Sequence, residues 1–186
     1  LLNTPRRNQY RVVNNTQHIS ALAAGGAGVI IMEASAVRQQ GRITHGDLGI
    51  WSDAHAEALQ PYVEMMRSHG VVPAIQLGHA GRKASMQRPW HGNGPLDESD
   101  AARGELPWDI VAPSALASGE DFMVPHALTV EQIKQLVRDF SAAAARCDRV
   151  GFDLIEIHGA HGYLLHTFLS PLSNQRTDEY GGSLEN

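Results

Sequence analysis

The chain has 186 residues, of which 42% are hydrophobic and 19% charged, the profile of a folded globular domain rather than a disordered segment. Its 20 acidic residues outnumber 15 basic ones, and the net charge of -5 offers no general attraction to nucleic acid or anionic membranes. The single cysteine, Cys147, excludes an internal disulfide and a cysteine-built zinc or iron–sulfur site, which fits a reducing, cytoplasmic setting. No apolar run approaches the roughly 18 to 20 residues needed to span a bilayer, and the opening LLNTPRRNQY lacks the basic-then-apolar order of a signal peptide.

In chain order, a short helix is expected over Thr16 to Ala24, followed by the flexible Ala24-Gly25-Gly26-Ala27-Gly28. The β-branched run Val29 to Val37 then reads as a buried strand. Ser52 stands at an N-cap position, and Ala54, Ala56, Leu59, Tyr62, Val63 and Met66 recur at helical spacing up to Gly70. A second strand covers Val71 to Leu77. From Arg88 to Met123 a long stretch rich in Pro and Gly reads as an excursion or lid over one end of a sheet. Thr129 with Gln132 forms a capping box opening a helix from Val130 to Val150, and Gly151 to His158 is the third strand. Each strand is nearly continuous in hydrophobicity, as strands covered on both faces of a parallel sheet are.

Repeated βα units allow an open doubly wound sheet or a closed (β/α)8 barrel. The glycine-rich turn of a nucleotide-binding doubly wound fold is absent after the first strand, because the Gly25 to Gly28 run precedes that strand. Polar groups instead gather at the C-terminal strand ends: Glu33 and Ser35, Gln76 and His79, then His158, His161 and Tyr163. A barrel builds its site there, so the expected fold class is α/β, a TIM barrel, present as an incomplete N-terminal half of about four βα units. Residue 1 is not Met and the chain stops at SLEN after a loop-like run, so a piece of a longer protein is expected, a single partial barrel over residues 1–186 with 88–123 as its excursion.

The strongest local feature is HGAHGY, His158 to Tyr163. Two imidazoles three residues apart can converge on one oxygen, and a phenol beside them can give a proton to a neighbouring carbon. The same spacing also suits metal ligation, or a pair of structural histidines with a packed tyrosine. Gln76 carries an amide that can read a paired donor and acceptor edge, or simply tie two strand ends. Ala34 is a small residue at a strand end, where a flat ligand could approach the backbone. RTDEYGGS, Arg176 to Ser183, reads as a salt-bridged solvated loop.

GRITHGDLGIWSDAH, IQLGHAGRKAS and HGAHGYLLHTFLSPLSNQRTDEYGGSLEN closely resemble the Old Yellow Enzyme family of FMN-dependent ene-reductases, in its YqjM-like NADPH dehydrogenase and xenobiotic reductase branch. The resemblance runs from about residue 15 to the end. It implies a (β/α)8 barrel with FMN across the C-terminal strand ends, NADPH or NADH as hydride source, and small-molecule activated alkenes (unsaturated carbonyl or nitro compounds) as substrates. It also implies His158 and His161 as donors to the substrate oxygen, Tyr163 as proton donor, Tyr10 in the substrate pocket, and Ala34, Gln76 and Pro5 against the flavin. No resident metal, nucleic-acid partner or membrane is implied, and a homo-oligomer is expected at full length. Aligned on Gln9-Tyr10, Asn8 stands where the family usually has a Cys that tunes the flavin potential, so an altered potential is expected. The family's phosphate site falls outside these residues, and the chain alone is expected to bind FMN poorly. A metal-dependent barrel hydrolase using His158 and His161, or an inactive truncated homologue, are the competing readings.

Overall fold

A computed structural model describes residues 16–183 together with 185 and 186. Pro5, Asn8 and Tyr10, expected to touch flavin or substrate, lie outside the described residues.

Helix α1 occupies residues 16–24. Strand β1, Val29–Ala36, follows, then the short β2, Leu48–Gly49, helix α2, Asp53–Ser68, and strand β3, Val72–Gly78. The two-residue strands β4, Val111–Ala112, and β5, His126–Ala127, bracket the second part of the excursion. Helix α3, Val130–Val150, strand β6, Leu154–Ile157, and helix α4, Leu164–Leu169, complete the order. The main sheet runs β2-β1-β3-β6, and all its pairs are parallel. Strands joined by helical crossovers must pair this way, because a hairpin turn cannot bring two strands together head to head.

The capping signals act where the sequence places them. Thr129 accepts from the Gln132 amide and Gln132 answers to the Thr129 N–H, closing the box at the start of α3. Gly151 ends α3 at φ 98, a left-handed conformation that costs any other residue steric strain. Ser52 does sit at the N-cap of α2, but its hydroxyl bonds His55 Nδ1 at 2.5 Å instead of a backbone amide. Pro61 lies inside α2 and the helix continues through it.

Ala56, Leu59, Val63 and Met66 of α2, with Ala143 and Cys147 of α3, pack on Ile30, Met32, Ile75 and Leu77 of the sheet. Burying side chains of this size contributes about 1.5 to 3 kcal/mol each. That covers one face. On the other, Val29 (49%), Ile31 (46%), Val72 (40%) and Leu154 (42%) remain exposed, so the described residues do not cover the sheet on both sides as its continuous hydrophobicity predicts. These apolar side chains line the face that a sheet closing on itself would turn inward.

The excursion packs at the C-terminal strand ends. Trp108 donates from Nε1 to Gln40 O, Arg82 reaches the carbonyls of Leu116 and Ala117, and Trp108, Met123 and Tyr163 pack against Ala80, Ala84 and Ile110. Asp100, fully buried, anchors its first part: it accepts from Gln87 Nε2 and from the Asp97 amide and pairs with Arg103. A buried carboxylate is tolerated because it is both paired and hydrogen-bonded. Arg176 holds the RTDEYGGS loop, chelating Asp178 and donating to the Pro113 and Leu128 carbonyls.

Candidate active site

The HGAHGY turn leaves β6 in an unusual backbone. His161 lies at φ 57 and Gly162 at φ 74, both left-handed. The glycine adopts this freely, whereas His161 pays about 1 kcal/mol or more. Three contacts offset that cost: Lys83 Nζ donates to His161 O at 2.8 Å, the Gly162 N–H donates to His166 Nδ1 at 2.7 Å, and the Leu164 N–H donates to His79 O.

The turn brings the three predicted rings together. His158 and Tyr163 have ring centroids 4.8 Å apart, His158 and His161 5.1 Å, and His161 and Tyr163 6.5 Å, each edge to face. His158 Nδ1 accepts from the Ala160 N–H, so its proton sits on Nε2, which faces His161 Nδ1 at 3.4 Å. The His161 proton is thereby placed on Nε2. The His161 Nε2–H is thus left free to donate, while the His158 Nε2–H is directed at His161 Nδ1, so one oxygen can take both donors only when that contact opens. Burial and the neighbouring His161 hold His158 below its ordinary pKa, against the opposing pull of Glu156, so it stays neutral. Burial and then the Asp47 carboxylate push the Tyr163 phenol up, so it keeps its proton.

Beside these rings, Ala34, Ser35, Ala36, Gly41 and Gly78 form a floor of small residues, walled by His79 and Asp47. The enclosed part of this recess is about 20 Å³, room for one water-sized body. A planar ring system would therefore lie across the open rim and not inside it. Gln76 lies on β3 two residues before Gly78 of that floor and donates from Nε2 to Glu156 Oε1 at 2.6 Å. The small floor and the rim amide fit one edge of a flavin. His79, fully buried, accepts the Gly81 N–H at Nδ1, and burial depresses its pKa to about 3. No group of three His, Cys, Asp or Glu side chains that could hold a metal occurs among the described residues, so the metal reading has only its two imidazoles. Lys83 and Asp47 were not legible as site residues, because each reaches the site across the fold, whereas Glu156 stands two residues before His158 on the same strand.

Parallel βα units with a polar, ring-lined rim at the C-terminal strand ends define a barrel of the kind that carries its chemistry there. The chain belongs to the NADH:flavin oxidoreductase / NADH oxidase family, which it matches over residues 5–186. It is 50% identical over 169 residues to the NADPH dehydrogenase of Bacillus subtilis, covering 91% of this chain and 44% of that protein. An NADH:flavin oxidoreductase of Gibberella zeae is 49% identical over 170 residues, with 91% and 41% covered. Among solved structures, morphinone reductase superposes with TM-score 0.74 at 32% identity over 91% of this chain and 46% of that one. The Old Yellow Enzyme homologue of Zymomonas mobilis gives 0.72 at 32% identity, with 90% and 45% covered. The chain thus spans less than half the length of the relatives it matches, and its fold is that of the N-terminal half of a (β/α)8 barrel.

Proposed function

We propose that this chain is the N-terminal part of an FMN-dependent NAD(P)H oxidoreductase that reduces the activated C=C bond of small unsaturated carbonyl or nitro compounds. The observation that carries the reading is the convergence of His158, His161 and Tyr163, with His158 and Tyr163 lining a small-residue floor. FMN would supply the redox chemistry, the passage of hydride from NAD(P)H to the alkene, and Gln76 with the backbone at Ala34 would hold and orient it. His161 donates from its free Nε2–H to the substrate's carbonyl or nitro oxygen, and His158 joins it as its Nε2–H turns from His161 Nδ1 to that oxygen; negative charge accumulates there as the carbon is reduced, so donors at that point stabilise the transition state more than the ground state. Tyr163, protonated at neutral pH as phenols are, gives its phenolic proton to the adjacent α-carbon. The excursion 88–123, which packs through Trp108 and Met123 on the same Ala80, Ala84 and Ile110 cluster as Tyr163, acts as the lid that keeps water from the rim. No helix of the described residues is long and apolar enough to cross a membrane.

The test is expression of the polypeptide that carries this chain in the cell, release and identification of its flavin, and anaerobic mixing of the reduced protein with an unsaturated ketone. Bound FMN and reoxidation by the ketone are expected. A protein that retains no FMN, or whose reduced form is indifferent to the alkene, refutes the proposal.

A further inference from the structure

The inward face of the sheet changes character along the strands. Val72, Ala74, Gln76 and Gly78 alternate on one face of β3, and Leu154, Glu156 and His158 run along the matching face at β6. The register sets Ala74 opposite Leu154 and Gln76 opposite Glu156. The apolar rows thus give way to one polar pair directly below the row that carries His158. Within that pair Gln76 Nε2 lies 2.6 Å from Glu156 Oε1. An ionised carboxylate only accepts hydrogen bonds, so it must face the nitrogen of the amide and never its oxygen.

We infer that Glu156 is a positioning residue: it locks the Gln76 amide in one of its two flipped orientations, leaving the carbonyl oxygen and the second N–H directed to the cofactor edge. The inference rests on the flavin reading of the rim. Without the carboxylate, the amide interconverts between an orientation that matches a paired donor and acceptor edge and one that opposes it. The acid has a second effect: its charge stands beside His158, whose protonated form it favours. It therefore places a fixed negative charge at the rim, which disfavours the addition of electrons to a ring bound there.

The experiment uses the full polypeptide and compares wild type, Glu156→Ala, Glu156→Gln, Gln76→Ala and the double variant Glu156→Ala with Gln76→Ala. It reads the FMN dissociation constant and the two-electron midpoint potential, with circular dichroism and thermal midpoints as fold controls. Gln76→Ala is expected to weaken FMN binding about tenfold, the worth of the amide's neutral hydrogen bonds to the cofactor, and Glu156→Ala about twofold or more, because the freed amide then faces the cofactor correctly only about half the time. The double variant is expected to lose no more than Gln76→Ala alone, because the acid acts through the amide. Glu156→Gln, which can present either its oxygen or its NH2 to Gln76, is expected to fall between wild type and Glu156→Ala and to shift the midpoint potential positive. Additive losses in the double variant, or wild-type affinity and potential in Glu156→Ala, overturn the inference while leaving the function reading intact. Failure of the wild type to bind FMN overturns the function reading itself.

Discussion

Acid weakens this fold through His79, and the size of the effect follows from its burial. The ring is 3% exposed, it lines the recess beside Gly41, and its Nε2 has no partner among the described residues. Its pKa falls from 6.5 to about 3, first because burial penalises the cation and second because Arg38 repels it. Above pH 6.5 the ring is neutral in both states and the full stability is present. As pH falls below that value the unfolded chain takes up a proton that the folded chain refuses, and stability is lost until the folded pKa is reached. At about 1.4 kcal/mol per pH unit, lowering the pH to about 4.5 removes about 3 kcal/mol, a large share of the 5 to 15 kcal/mol that holds a domain together. The control is His79→Asn, whose Oδ1 can accept the Gly81 N–H while carrying no titrating group. Urea unfolding at about pH 7.5 and pH 4.5 isolates the histidine, because each protein is compared with itself and the other acid-sensitive groups, His55 and His158 included, are common to both. The wild type should lose about 3 kcal/mol more than the variant over that interval. Equal losses refute the assignment of the ring as buried and neutral.

Four further outcomes are expected. Tyr163→Phe should leave flavin reduction by NADPH near wild type and slow alkene-dependent reoxidation about 10²- to 10⁴-fold, read as separate half-reactions by stopped flow; an unchanged reoxidation rate removes the phenol from the chemistry. Thr129→Ala opens the capping box of α3 and should cost about 1 kcal/mol in urea melts. Gly41→Ala places a methyl 2.6 Å from His79 Cδ2, with the ring boxed in, and should cost about 1 to 3 kcal/mol by the same assay. Cys147 is fully buried and burial pushes its thiol up to about 11, so a thiol reagent should label it only at the rate of unfolding, as competition with denaturant will show.

The order of the main elements up to β6 was legible because its signals are short-range, while the six-residue helix α4 that follows the HGAHGY turn was not read. The capping box of α3 spans four residues, the strand runs are contiguous, and the three rings of HGAHGY lie within six residues of one another. The two-residue strands β2, β4 and β5 carried no such signal, since their few hydrogen bonds come from whatever strand lies alongside. The expectation of two covered faces was right about the side chains and only half met among the described residues: Val29, Ile31, Val72 and Leu154 are apolar, yet each stays 40% to 49% exposed.

Composition, caps and hydrophobic runs by themselves determined a βα chain whose reactive groups follow its strands, because such preferences act between residues a few positions apart. Only the tertiary structure decided that Glu156 faces Gln76 across 80 residues, that Lys83 braces the His161 turn across 78, and that Asp47 stands close enough to raise the Tyr163 phenol. Those pairings depend on the register of parallel strands and on loops folded over their ends, which are set by the packing of α2 and α3 against the sheet and by no local pattern.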